Sequence, residues 1–201
     1  MRIRLSLVML LLWTGVACAA EPEDPKRSAE AEKTAKQRRA AISEELKTLG
    51  DHQWAGEYYF GDGLGVNVGF AVAPKSGYLF EWHGCLGLYD RNYGTATQKG
   101  DRIQLAFTFE NDRDGFQRIS PELIPVPWGA RHYLIHLIPA DNFVGFCNAV
   151  NEGSEPREFV HGSFLLRTGD EKTPVTGFPR VPQKYQSYLL AKPVEAEIVS
   201  V

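Results

Sequence analysis

From residue 51 onward, apolar residues recur at every second position in short runs, each closed by a turn signal. That pattern restricts the chain to antiparallel β structure, because a half-buried strand alternates its side chains with a period of two. The first run is 54–60, and Asp62-Gly63 after it is a hairpin signal, since both residues tolerate positive φ. The return run, 65–73, puts Val66, Val68, Phe70 and Val72 on one face. After the turn at 74–77, the run 78–83 sets Tyr78, Phe80 and Trp82 on one side. A loop over 84–93 and a short strand over 94–98 follow, then a clean alternation of Ile103, Leu105, Phe107 and Phe109. Residues 119–126 read as a proline-bearing edge strand, and 131–138, 159–167 and 194–201 as the remaining strands. The expected fold is mainly β: a single antiparallel β-barrel or barrel-like sandwich of about eight or nine strands over 51–201.

Three stretches break the period. Residues 28–49 are rich in Ala, Glu, Lys and Arg, with Ala35, Ile42, Leu46 and Leu49 as a sparse apolar stripe that strengthens toward Gly50. They read as an N-terminal surface helix whose last turns dock and whose start is solvated. Within 141–151, Phe143, Phe146, Cys147 and Val150 lie on one helical face, which predicts an inserted helix with Cys147 inward. A short C-terminal helix is expected from Pro182 to Leu190, with Tyr185, Tyr188 and Leu189 on its buried side.

The first twenty residues carry Arg2 and Arg4, an apolar run from Leu5 to Val16, and the small residues Ala17, Cys18, Ala19 and Ala20. This is the pattern of a signal peptide, and the run is shorter than the about 20 apolar residues that a membrane span needs. Export to the periplasm or beyond follows as the expected location, with a lipid anchor at Cys18 as the rival reading. Residues 21–50 form a polar tether and the helix, and 51–201 one domain. Without residues 1–20 the formal charge moves from −3 to −5, with 20 basic against 25 acidic side chains. That balance argues against a nucleic-acid partner. Cys85 and Cys147 remain, and an even count in an exported chain points to a disulfide, two separate buried thiols being the alternative.

The order Trp54-x-Gly56-x-Tyr58, hairpin and meander resembles the lipocalin-like, or calycin, barrels. The resemblance covers 54–110, and Gly56 follows Trp54 where that family places the glycine before the tryptophan. It implies a barrel whose mouth receives a ligand.

Several local patterns fail as chemistry. Gly61, Gly63, Gly65 and Gly69 lack the spacing and the following helix of a nucleotide fingerprint. The stretch 110–115 places oxygen ligands as a calcium loop does, but its twelfth position is Pro121. His132 and His136 on a strand stand about 13 Å apart, too far for one metal. No metal or cofactor is expected. His83, Cys85 and Asp90 hold the residue types of a thiol nucleophile with its base, which keeps a hydrolase, or a carboxylate pair, as an alternative.

The strongest site candidate is the 84–94 loop with its neighbours. Trp82, Tyr89 and Tyr93 offer flat apolar faces, and Asp90, Arg91 and Asn92 offer directed hydrogen bonds. Asn148 and Arg157, with Asn151 and Glu155, form a second cluster that a Cys85–Cys147 bond would bring beside the first. The leading expectation is an exported bacterial domain that binds a small-molecule ligand or an envelope protein non-covalently. An interaction or inhibitor protein acting through the 84–94 loop is the alternative.

Overall fold

A computed structural model describes residues 25–61, 63, 65–85, 87–109, 119–137, 141–156, 164–175 and 177–189. The signal peptide expected over 1–20 with Cys18, the acidic stretch 110–115, Arg157 and the strand expected over 194–201 lie outside the described residues. Eight strands close into one antiparallel barrel in chain order: β1 (Gly56–Gly61), β2 (Val66–Ala73), β3 (Gly77–Gly84), β4 (Gly87–Lys99), β5 (Arg102–Phe109), β6 (Glu122–Trp128), β7 (Arg131–His136) and β8 (Phe164–Arg167). Closure comes from β8 pairing with β1 through Tyr58↔Arg167 and Tyr59↔Leu166. Helix α1 (Pro25–Leu49) precedes the barrel, and α2 (Asp141–Asn151) is inserted between β7 and β8. A 3-10 helix at Gln183–Tyr188 follows. No described helix is long and apolar enough to cross a membrane.

The inner wall is the period-two face of the sequence. Tyr58, Val68, Phe70, Val72, Tyr78, Phe80, Ile103, Leu105, Leu123, Leu134 and Leu165 pack together inside. The outer wall is covered on two sides by helices. Helix α1 lies over Ala71, Ala73, Leu79 and Tyr93, while α2 lies over Ile124, Val126, Tyr133 and Ile135. Strands β2, β3, β6 and β7 are therefore buried on both faces, which alternation alone does not reveal.

Some boundaries and environments differ from expectation. Most of the expected 84–93 loop is strand: Gly84 ends β3, Cys85 lies in the turn, and β4 starts at Gly87, so the short strand expected at 94–98 is the far half of β4. Its inward positions are Asp90, Asn92 and Gly94, so the alternation lacks apolar residues where they would signal a strand. Residues 119–126 shift to β6, which has no free edge in a closed barrel. It pairs with β5 only at Ile103↔Leu123 and Gln104↔Glu122, so Pro125 and Pro127 fall where β5 has already parted from it. Helix α1 docks along more of its length than its stripe suggests, since Ala31 and Ala35 are buried as well as Ile42. In the C-terminal 3-10 helix, Tyr185 stacks on Phe143 at 4.0 Å, but Tyr188 is exposed. The inserted helix matches its expected bounds.

No disulfide joins Cys85 and Cys147. Cys85 stands exposed in the β3–β4 turn, while Cys147 is fully buried between α2 and the outer wall. The first lies at a hairpin tip and the second behind the sheet, so the even count reflects two unrelated environments.

Candidate functional site

The barrel has two ends. The lower one carries the β2–β3, β4–β5 and β6–β7 turns, and it is sealed. Trp54, buried just before β1, donates from Nε1 to Gln98 Oε1 at 2.9 Å near the far end of β4. Its carbonyl accepts the Tyr58 hydroxyl at 2.9 Å. Beside it, Arg167 donates to the His52 carbonyl at 3.0 Å and to Asp51 Oδ1 at 2.8 Å. His132 is held by Asp170, whose Oδ2 accepts its backbone N–H at 2.8 Å and lies 3.1 Å from its ring Nδ1. Burial raises the Tyr58 hydroxyl above the ordinary tyrosine range, so it stays a neutral donor.

The upper end carries the β1–β2 and β3–β4 turns. Here the inner wall becomes partly solvent-accessible: Phe60, Val66, Trp82 and Phe107 are only half-buried against the core that the lower residues fill. Asp90 and Asn92 extend this wall downward on β4, opposite Trp82 and Phe80, and both are buried. Asn92 Oδ1 accepts the Tyr78 hydroxyl.

Tyr89 is aimed by a register slip. Trp82 pairs with Asp90 but His83 pairs with Leu88, so Tyr89 is the extra residue of a bulge. Its ring meets Trp82 edge-on, with centroids 5.4 Å apart. The ring also lies over Gly84, where an added Cβ would fall 2.0 Å from Tyr89 Cε2. Gly84 and Trp82 share a strand face, so Tyr89 sits on the Trp82 side of the hairpin, at the mouth. Only a glycine at 84 leaves room for it.

Of the eight candidate residues, Trp82, Tyr89, Asp90 and Asn92 therefore converge on the mouth. Arg91 and Tyr93 do not; they project through the outer wall under α1. Arg91 donates from Nε to Glu81 Oε1 at 2.8 Å and reaches Glu32, while Arg39 holds Glu81 Oε2 at 2.6 Å. Hydrogen bonding from Arg91 lowers the Glu32 carboxyl. Burial of Arg91 opposes its charge but is outweighed by Glu81 and Glu32, which keep it cationic. Tyr93 stacks on Phe109 at 5.0 Å with the Arg38 guanidinium over its ring. Asn148 is exposed on α2, outside the barrel, so the two expected clusters are not joined. Nor do His83, Cys85 and Asp90 assemble: Asp90 faces inward, while His83 and Cys85 stand exposed at the hairpin tip.

Sequence reasoning missed Phe60, Val66 and Phe107 as rim residues and Trp54 as the plug. Their signal was the alternation itself, which gives their face but not their height in the barrel. His136, placed on a strand by its sequence, shares the inner face with its partner Leu123 and is 3% exposed. Its Nε2 is buried with no hydrogen-bond partner among the described residues, and burial pushes the imidazole down to about 4, so it is neutral at physiological pH. The described residues contain no group of three His, Cys, Asp or Glu side chains placed to hold a metal. Comparison with known proteins adds no relative: no family model matches the chain, and neither a curated protein nor a solved structure matches it.

Proposed function

We propose that this is an exported binding protein that holds a small-molecule ligand non-covalently in the upper mouth of its barrel. The observation that carries this reading is the Trp82–Tyr89 pair. A bulge and a side-chain-free Gly84 set the two rings on the inner rim, above the inward polar residues Asp90 and Asn92. Bulges re-aim side chains beside functional sites, and binding sites join apolar faces to a few directed polar groups. An eight-stranded barrel is wide enough either to be filled by its side chains or to hold one small ligand. Export rests on the N-terminal Arg2, Arg4, apolar run and small-residue segment.

The test is a library of soluble metabolites screened by nuclear magnetic resonance against the protein without residues 1–20. Ligands of this mouth shift the Trp82 indole N–H and the Tyr89 ring signals. Gly84→Leu, which drives a side chain into the Tyr89 ring, abolishes those shifts while the Trp54 and Trp128 indoles stay in place. Binders that perturb only the exposed tip at His83 and Cys85 would instead indicate a protein partner gripped by the hairpin.

A further inference from the structure

We infer that the upper end of the barrel rests on the surface of a zwitterionic lipid bilayer, an interaction that goes beyond the small-molecule reading and does not require it. The two ends differ in kind. The lower end holds Lys75, Lys99, Asp101, Glu171 and Lys172 in solvent. At the upper end, 61–65 and 83–88 contain one formal charge, Asp62, with His83 neutral. Phe60, Trp82, Leu88, Tyr89 and Phe107 are half-buried there, and Tyr59 is 44% exposed. Apolar side chains gathered at one end of a molecule mark a contact surface. Trp and Tyr suit the boundary between lipid and water, where the ring meets acyl carbon and its polar edge meets water. Both hairpins keep their strands paired to the tip, through Gly61↔Asn67 and Gly84↔Gly87, so shallow burial in lipid strands few backbone groups.

The course of α1 points to a bilayer as what covers this end. Glu45 accepts from Lys75 and Ser76 in the β2–β3 turn at the lower end, whereas Glu32 pairs with Arg91 near the upper one, so the helix begins at the top. From Glu32 back to Pro25 it climbs about 10 Å, as β3 does from Glu81 to Gly84, which brings its first residue level with the hairpin tip. The apolar run 5–16 ends nine residues before Pro25, a reach of about 30 Å at most. A bilayer that holds this run, or a lipid on Cys18, therefore faces the upper end. Charge selects the kind of lipid. Residues 21–30 carry four acids against two bases, and 110–118, which follow β5, carry three against two. Anionic membranes attract a basic excess, which neither stretch has.

The experiment mixes the protein without residues 1–20 with phosphatidylcholine bicelles that carry a spin label at the headgroup. The Trp82 indole N–H signal is expected to broaden while the Trp54 and Trp128 indoles stay sharp. In sedimentation with phosphatidylcholine vesicles, Trp82→Glu and Leu88→Glu should each lower the affinity about tenfold or more, the scale of one large apolar side chain. Unchanged Trp54 and Trp128 indole positions certify that both variants are folded. No co-sedimentation, or equal broadening of all three indoles, overturns the inference. Binding to phosphatidylglycerol vesicles alone overturns the zwitterionic surface. If dihexanoyl phosphatidylcholine below its micelle concentration shifts Trp82 saturably while vesicles bind no protein, lipid is a ligand of the mouth and the docking surface is overturned. If Trp82 shifts with protein concentration in the absence of lipid, a second copy covers the patch and the bilayer is again overturned. The metabolite screen tests the small-molecule reading separately, so either reading can fail while the other stands.

Discussion

His136 is the residue whose chemistry is least reconciled with its place. A buried nitrogen without a partner costs about 1–3 kcal/mol, and a charge there would cost more. Its folded-state value of about 4 lies below the ordinary histidine value of 6.5, so between those limits the unfolded chain binds the extra proton. Stability is therefore full above pH 6.5 and falls as pH drops toward 4, by about 3 kcal/mol from this group. Urea unfolding at stepped pH checks the slope, and His136→Leu should flatten this histidine's part of it. The two cysteines give a second contrast. Cys85 is exposed, whereas burial of Cys147 raises its thiol to about 11. In the protein without residues 1–20, a thiol reagent is expected to titrate one cysteine in the native state and two in denaturant; none in unreduced, denatured protein would restore the disulfide.

Helix α1 is held as much by charge as by its thin apolar stripe. Arg38 donates to the Ser76 and Gly94 carbonyls at 2.9 and 2.8 Å, and Glu45 accepts the Lys75 and Ser76 backbone N–H groups at 2.9 and 2.7 Å. Arg91 and Glu81 form the buried centre, with side chains 8% and 11% exposed. Arg91→Met leaves Glu81 held only by the half-exposed Arg39 and is expected to cost about 3 kcal/mol, the low end for breaking a buried pair, whereas the double variant Arg91→Met, Glu81→Leu should recover most of that loss. Glu32→Gln removes a partner that is 46% exposed and should cost less than about 1 kcal/mol. Chemical denaturation of the four proteins decides it. The same network explains the misread strand. Arg91 and Tyr93 are outward residues buried under a helix, and Asp90 and Asn92 are inward polar residues, so β4 reverses the usual relation between polarity and face. The bulge at Tyr89 then shifts the register within the run.

At the scale of the molecule, closure ties the two ends of the described chain together. Arg167 in β8 reaches Asp51 and the His52 carbonyl beside the end of α1, and β8 pairs with β1. Unfolding is expected to be a single event, because a closed barrel has no edge strand to peel away. Helical circular dichroism, which reports α1, and tryptophan fluorescence, which reports Trp54 at the lower end and Trp128 beside Gly177, should trace one transition. Separated midpoints would mean that α1 detaches first. The sequence by itself determined the fold class, the inner faces of β2 and β3 and the extent of α2, because burial of a strand or helix face writes its period directly into the residues; in β5 a register shift turns Phe109 to the outer side. That Trp82, Tyr89, Asp90 and Asn92 stand out was legible in the same way, as an unusual density of aromatic and polar side chains, but their shared place at the upper end was not. Their division was not. Which of Tyr89, Asp90, Arg91, Asn92 and Tyr93 faces the mouth depends on a one-residue slip in pairing and on a helix packed behind the sheet. Neither leaves a periodic trace, since both arise from contacts between segments far apart in the chain. Only the tertiary structure separated the cysteines, plugged the lower end with Trp54 and left Phe60, Val66, Trp82 and Phe107 half-buried at the upper end.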